Sequence, residues 1–414
     1  MGRFPARLLH IATPAEAKRE LETIGVDPAG IGMMAPKMLS RCVKLSGLLC
    51  SQANILKQEM LSLGGDAAVA RGTVSCSVSH TDVILMGTDK QLDKLCSRLA
   101  PQPFSLPAVA AELKEILHHA ASPPSIWRTA RRTLSLHRPL IMGILNVTPD
   151  SFSDGNQFFL PHKAIDRARQ MVDEGADIID IGGESTRPGA PPVSADKEHR
   201  RIIPVIEALA GILPCAISVD TWKSSVAQSA LDAGAEIIND ISGLQFDPQM
   251  AEVIARSGAA AVLMHTSGSP ETMQGKTGYG DLIGEIVGAL DRSCRQATEA
   301  GVERDRIAID PGIGFGKDVE QNLEILRRLN EFSSLGFPLL VGTSRKSFIG
   351  RMLNRDPEDR LMGTSATVTL AVANGAHIVR VHDVREMRDT ADMAHAITSV
   401  PAYRQCKSGS FTPS

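Results

Sequence analysis

No apolar run approaches the roughly 20 residues that a membrane-spanning helix needs, so the sequence predicts no membrane partner. Neither sign of charge is in excess. With 44 Lys and Arg against 47 Asp and Glu, the net charge is −3 and the pI about 6.4. Nothing there argues for nucleic acid or an anionic lipid surface, and any anion site must be local. Cysteine is sparse and unpatterned: the seven residues are odd in number, scattered, and never in a Cys-x-x-Cys pair. That spacing predicts neither a disulfide framework nor a zinc site and points to the cytoplasm. The opening Met-Gly-Arg-Phe-Pro-Ala has no long apolar core and no Ser or Thr at the sixth position, so neither a signal peptide nor myristoylation is expected.

What remains is an ordinary globular composition, 43% hydrophobic and 22% charged, over 414 residues. That length exceeds one usual core and predicts two domains. Residues 1–100 read as a small α/β domain of unknown role. Leu8 to Ile11 is a short apolar run, and Thr13-Pro14-Ala15-Glu16 is a capping box with Pro at the first helical position. Ser51 to Leu63 puts Leu56, Met60 and Leu63 on one helical face, Val83 to Met86 reads as a strand, and Thr88 caps a helix carrying Leu92, Leu95 and Leu99. No phosphate loop, metal cluster or dinucleotide fingerprint appears there, and the domain is expected to serve packing, oligomerisation or regulation. Residues 101–136, with Pro-x-Pro, Leu-Pro and Ser-Pro-Pro followed by the basic run Arg128 to Arg132, read as a linker; residues 401–414 read as a tail.

Between residues 137 and 400 the pattern changes. Short apolar runs alternate with helical patterns about eight times: Leu140 to Leu145, Ile178 to Ile181, Ala216 to Val219, Glu236 to Ile238, Ala260 to Met264, Ile307 to Ile309, Pro338 to Val341 and His377 to Val381. This predicts a (β/α)8 TIM barrel after a small N-terminal α/β domain; an open doubly wound sheet shares the alternation but not the polar residues at nearly every strand end. Those ends form one mouth in a closed barrel, and here they carry Asn146, Asp180, Glu184, Asp220, Asn239, Asp240, His265, Asp310, the Gly312 to Lys317 stretch, Ser344 to Ser347, Arg380 and His382. Singly, each has a bland reading: an Asp at a strand end often caps the next helix, as Asp240 is expected to, and Gly-x-Gly is common turn chemistry. Jointly, they divide into two groups. Asp220, Asn239 and Asp310 can read the edge of a flat heterocycle, a carboxylate matching a two-donor fork. Arg187, Lys346, Arg380 and His382, with Asn146, suit a phosphorylated group, Asn146 being able to help hold a magnesium ion that keeps most of its waters. The amides of the helix after Ser347 would face the same mouth.

At these residues the chain resembles the dihydropteroate synthases. The resemblance rests on Met142-Gly-Ile-Leu-Asn146-Val-Thr-Pro-Asp-Ser-Phe-Ser-Asp154-Gly155, on Gly175 to Gly189 with Asp180-Ile-Gly-Gly-Glu-Ser-Thr-Arg-Pro, and on Ser344-Arg-Lys-Ser-Phe-Ile-Gly350. It covers about residues 138–400 and not the N-terminal domain. It implies that Asp220, Asn239, Met264, Asp310, Phe315 and Lys346 hold a pterin; that Thr186, Arg187, Ser347, Arg380 and His382 serve p-aminobenzoate and pyrophosphate; and that Asn146 meets Mg2+. Asp220, Lys346, Arg380 and His382 are the expected catalytic residues. The implied reaction joins 6-hydroxymethyl-7,8-dihydropterin pyrophosphate to p-aminobenzoate, giving 7,8-dihydropteroate, in a sulfonamide-sensitive homodimer. Asn156, Trp222 and Thr266-Ser267 depart from the usual pattern, which touches loop and pocket detail. Two other readings use the same pterin contacts: a corrinoid methyltransferase acting on methyltetrahydrofolate, which has no need of the cationic cluster, and a non-catalytic pterin sensor.

Overall fold

The computed structural model describes residues 5–147, 160–185, 192–269, 272–275 and 277–399. The chain divides into two compact units between Ser122 and Pro123.

In the first unit, α1 (Pro14–Thr23) starts at the expected capping box, Thr13 accepting from the Glu16 amide and Glu16 reaching back to the Thr13 amide. It is followed by α2 (Pro28–Met38), β1 (Ser40–Leu49), α3 (Cys50–Ser62), β2 (Asp66–Val69), β3 (His80–Thr88), α4 (Asp89–Leu99) and α5 (Leu106–Ala121). The three strands form an antiparallel sheet in the order β1-β3-β2. Alternating burial along β1 and β3 turns Val43, Leu45, Val83 and Leu85 to a core shared with Leu56 and Met60 of α3, Leu92, Leu95 and Leu99 of α4, and Leu106 and Leu113 of α5. Leu8 to Ile11 forms no regular element.

Two expectations are overturned here. The span 101–136 is no linker: sixteen of its residues make α5, which enters through Pro107 in its first turn and buries an apolar stripe, so the prolines mark a helix entrance. And the cysteines do include a disulfide, Cys50–Cys76, which ties the start of α3 to the loop before β3. A pair separated by 26 residues, within an odd and irregular set, carries no sequence signature.

The second unit opens with a hairpin, β4 (Ile126–Arg128) and β5 (Thr133–Ser135). The barrel strands follow, each with a helix behind it: β6 (Leu140–Asn146), α6 (Leu160–Asp173), β7 (Ile178–Gly182), α7 (Ala195–Ala210), β8 (Ala216–Asp220), α8 (Ser224–Asp232), β9 (Ile237–Asp240), α9 (Met250–Ser257), β10 (Ala260–Met264), α10 (Leu282–Glu299), β11 (Ile307–Asp310), α11 (Val319–Arg327), β12 (Leu340–Val341), α12 (Ser347–Leu353), α13 (Leu361–Ala373), β13 (Ile378–Val381) and α14 (Val384–Thr398). All eight expected runs are strands. They pair in parallel in the order β11-β10-β9-β8-β7-β6-β13-β12, and a parallel bridge from Ile309 to Leu339 joins the two edges, which closes the barrel.

Strand side chains alternate between the barrel interior and the helices. Ile141, Ile179, Ile217, Ile238, Leu263, Ile309 and Val379 pack outward into the helix layer. Leu140, Met142, Ile178, Ala216, Ile237, Val262, Ala308 and Ile378 fill the interior together with Trp127 of the hairpin. Trp127 is fully buried and donates from Nε1 to the Arg306 carbonyl at 3.0 Å, so the hairpin plugs the N-terminal end of the barrel. The basic run is the fastening of this plug. Buried Glu236 takes Arg131 at 3.2 Å, Arg132 at 3.0 Å and the Thr129 hydroxyl at 2.6 Å, while Arg128 pairs with Asp305. A cleft of about 580 Å³ at this end includes Arg132 and Arg138 in its lining, but Glu236 and Asp177 already neutralise them.

Candidate active site

Two residues further along each inward-facing row, the small and apolar side chains of the interior give way to charged or polar ones on five of the six strands, Met264 being the exception. Ile178 is followed by Asp180, Ser218 by Asp220, Ile237 by Asn239, Val262 by Met264, Ala308 by Asp310 and Ile378 by Arg380. The period-two alternation of a strand therefore places all six over the packed interior, at the C-terminal mouth. Register joins them laterally: Asp220 lies beside Asn239, Met264 beside Asp310, and Met142 beside Arg380.

Arg380 organises the acidic side. Its Nε donates to Asp180 Oδ2 at 2.6 Å and its Nη2 to Asp220 Oδ2 at 2.7 Å, and Asn239 Nδ2 adds a bond of 3.1 Å to the same Asp180 oxygen. The second oxygens, Asp180 Oδ1 and Asp220 Oδ1, are buried and have no hydrogen-bond partner among the described residues. A buried carboxylate oxygen without a donor is costly unless a ligand supplies one. Burial pushes the Asp220 carboxyl well above the usual range, with Arg380 opposing and Asp180 adding to the rise. Asp310 is raised for the same first reason, although Gly312 N–H donates to it at 2.7 Å.

The basic side comes from the next loops. Lys346 precedes α12, donates to the Ile313 carbonyl, and stands 4.3 Å over the Phe315 ring. Burial lowers its ammonium to about 8, with Asp310 opposing. His382 Nδ1 is hydrogen-bonded to Ser344 Oγ at 3.0 Å, and the same oxygen accepts from the His382 amide at 3.1 Å. Ser347 is exposed in the first turn of α12.

Asn146 ends β6 beside Gly182, where a Cβ would stand 3.5 Å from Asn146 Oδ1 and 3.9 Å from Asp220 Oδ2; those oxygens thus face common space. Among the described residues no group of three or more His, Cys, Asp or Glu could hold a metal by itself. An amide oxygen next to a carboxylate suits only a cation that keeps its own waters.

Of the residues singled out from sequence, Asn146, Asp220, Asn239, Met264, Asp310, Phe315, Lys346, Ser347, Arg380 and His382 lie on the strand ends and loops of this one mouth. Thr186 and Arg187 lie outside the described residues. Asp240 does not cap a helix: its carboxylate takes the amides of Ser242 and Leu244, both at 2.8 Å, and closes a turn. Glu184 and His265 are satisfied by neighbours, Glu184 by Lys223 at 2.5 Å and His265 by Lys317 at 3.0 Å. Asp180, Lys317 and Lys223 were given no role by the sequence. Asp180 was within reach of the alternation rule, since it shares the inward row with Ile178.

A closed parallel barrel whose mouth pairs buried acids with an arginine, beside lysine and histidine on the following loops, defines an enzyme-type barrel built for a polar ring and an anion. Residues 142–382 match the family described as "Pterin binding enzyme", and the chain belongs to that family. Over 261 residues it is 52% identical to a "Dihydropteroate synthase" of Synechocystis sp., covering 63% of this chain and 90% of that protein. It is 41% identical over 382 residues to a "Probable bifunctional folylpolyglutamate synthase/dihydropteroate synthase" of Haloferax volcanii, covering 90% of this chain and 45% of that protein. An alignment of that length cannot fit after Ser122, so likeness extends into the first unit, where sequence motifs alone had shown none. Among solved structures, a dihydropteroate synthase of Clostridium difficile crystallised with pteroic acid is 50% identical with a TM-score of 0.60, covering 63% of this chain and 97% of that one.

Proposed function

We propose that this chain is a dihydropteroate synthase, a transferase that condenses 6-hydroxymethyl-7,8-dihydropterin pyrophosphate with p-aminobenzoate to give 7,8-dihydropteroate and pyrophosphate. The carrying observation is the mouth: orphaned oxygens on Asp180 and Asp220 next to Asn239 and Asp310, with cations on the loops alongside.

The amino-pyrimidinone edge of a pterin presents paired N–H donors, which match the waiting carboxylate oxygens. Asp220, Asn239 and Asp310 grip that edge, Lys346 joins them, and Met264 and Phe315 wall the ring. His382, Ser347 and Arg187 take the pyrophosphate, with Arg380 serving both halves, and Thr186, Arg187 and Ser347 form the p-aminobenzoate side. Breaking the bond between the pterin methylene and the pyrophosphate oxygen sends the electron pair to that oxygen and leaves a cation delocalised over the ring. The ionised Asp220 lowers the energy of that charge as it develops. The aryl amine then attacks the methylene carbon and loses a proton, with no covalent enzyme intermediate. Asn146 would hold a hydrated Mg2+, which when bound neutralises pyrophosphate charge.

A corrinoid methyltransferase would have no pyrophosphate for His382 and the cationic loops to bind, and a non-catalytic sensor would have no use for that cationic cluster either. The chain is proposed to act as a homodimer: Met352 and Leu353 of α12, Met362 and Leu370 of α13, and Met393 and Ile397 of α14 are exposed apolar side chains on one group of helices. The cytoplasm remains the proposed compartment on the free thiols Cys42, Cys96, Cys215 and Cys294, with the Cys50–Cys76 disulfide as the exception among the described cysteines. Incubating the purified chain with both substrates and Mg2+ and following 7,8-dihydropteroate by mass spectrometry tests the activity; absence of product would sink it.

A further inference from the structure

We propose that Lys317 is a positioning residue for the pterin half of the site, a buried post that holds the turn carrying Ile313 and Phe315 against the pocket. The inference rests on the pterin reading above and deepens it.

The turn after β11 has no ladder or helix to fix it. Gly312, Gly314 and Gly316 all have positive φ (71°, 83° and 64°), and a Cβ on Gly312 would fall 1.9 Å from the His265 carbonyl oxygen. Only glycine allows this path, and glycine alone does not make it rigid. Side chains do so. Lys317 is 3% exposed, and its Nζ lies 2.9 Å from the Gly312 carbonyl, 3.0 Å from the Phe315 carbonyl and 3.0 Å from His265 Nδ1. Those three acceptors match the three donors of an ammonium. Burial and the Lys317 charge push His265 down to about 3, so its ring stays neutral and can accept. From the ligand side Lys346 takes the Ile313 carbonyl and lies over Phe315. The turn is thus gripped by two ammoniums, and Lys346 can serve a ring only while Lys317 holds the segment that Lys346 leans on.

Burying an ammonium with no carboxylate in hydrogen-bond contact among the described residues is expensive, and a plain turn would not require it. The cost is visible in Lys317 itself, whose pKa burial lowers to about 7 against the opposing charge of Asp310, with Lys346 adding to the fall.

The test uses the full chain with Lys317→Met and Lys317→Gln, the amide retaining two of the three donors. Calorimetry with 6-hydroxymethylpterin is expected to show binding weakened about tenfold or more for the Met variant and by an intermediate factor for the Gln variant. KM for pterin pyrophosphate should rise in parallel, while KM for p-aminobenzoate stays within about twofold. Wild-type affinity in the Met variant, or an equal rise in both KM values, overturns the proposal; so does failure of both variants to fold, which would make Lys317 a support of the barrel. If the Met variant alone fails to fold, the Gln variant decides by the same criteria. A wild-type chain that does not bind 6-hydroxymethylpterin removes the pterin reading itself, a result distinct from unaltered binding by the variants.

Discussion

Asp220 and Arg380 meet at 2.7 Å across the mouth, although 160 positions of sequence and two intervening strands separate them. Among the described residues the contact leaves Asp220 Oδ1 without a partner while Oδ2 is held, so the carboxylate is aimed before any ligand arrives. In Asp220→Asn the shape and one acceptor survive and the charge does not. Because the charge it answers grows mainly in the transition state, kcat should fall about 100-fold, roughly 2.7 kcal/mol, while affinity for 6-hydroxymethylpterin changes less than tenfold. Paired kinetics and calorimetry check this; equal losses would contradict it.

The same pair sets a pH profile. Burial raises Asp220, so on the acid side the carboxyl is protonated and activity should climb as pH rises through a pKa above the usual carboxylate range. On the alkaline side the buried ammoniums of Lys317, lowered to about 7, and Lys346, lowered to about 8, lose their protons and activity should fall again. Asp220→Asn should lose the acid limb and keep the alkaline one, measured as kcat/KM for the pterin substrate from about pH 5 to about pH 9. An unchanged acid limb in that variant would assign the titration to another group.

The barrel was legible because parallel strands, covered on both faces, read as unbroken apolar runs such as Ala260 to Met264. Asp220, Asn239 and Asp310 were legible as polar residues at the ends of those runs. Which residues they meet was not. That Arg380 would bond Asp180 and Asp220 depends on closure of the sheet, which no local pattern encodes. The run Arg128 to Arg132 looked like linker charge because its partner, Glu236, is more than 100 residues away at the closed end of the barrel. Prolines flanking α5 hid a helix whose stripe of Leu106, Val109, Ala110 and Leu113 was readable at helical spacing.

Trp127 bears on stability and not on chemistry. It fills the end of the barrel opposite the mouth and donates to the Arg306 carbonyl, so Trp127→Ala removes both the plug and a buried donor's bond. A loss of about 3–5 kcal/mol in unfolding free energy is expected, with KM for each substrate unchanged at temperatures where the variant stays folded. Urea denaturation beside steady-state kinetics separates the effects; a large KM change with unaltered stability would mean that the two ends of the barrel communicate.

Lys223 makes a prediction about the other substrate. It follows β8 and donates to Glu184 and Glu198, both at 2.5 Å, while Glu184 also accepts the Val193 amide at 2.8 Å. One carboxylate thus ties together the two ends of the segment that carries Thr186 and Arg187, and Lys223 ties that carboxylate to the strand bearing Asp220. In Lys223→Met, Glu184 and buried Glu198 face each other without a cation, a loss worth about 3–5 kcal/mol when one partner of a buried pair is removed. Glu198, already raised by burial, would then take up a proton, which relieves part of the repulsion but does not restore the tie. If that segment forms the p-aminobenzoate side, KM for p-aminobenzoate should rise about tenfold while affinity for 6-hydroxymethylpterin holds, and Lys223→Arg should recover part of the loss. Calorimetry and two-substrate kinetics on both variants decide it. A pterin affinity that falls with the p-aminobenzoate KM would place Lys223 in the support of Asp220 instead.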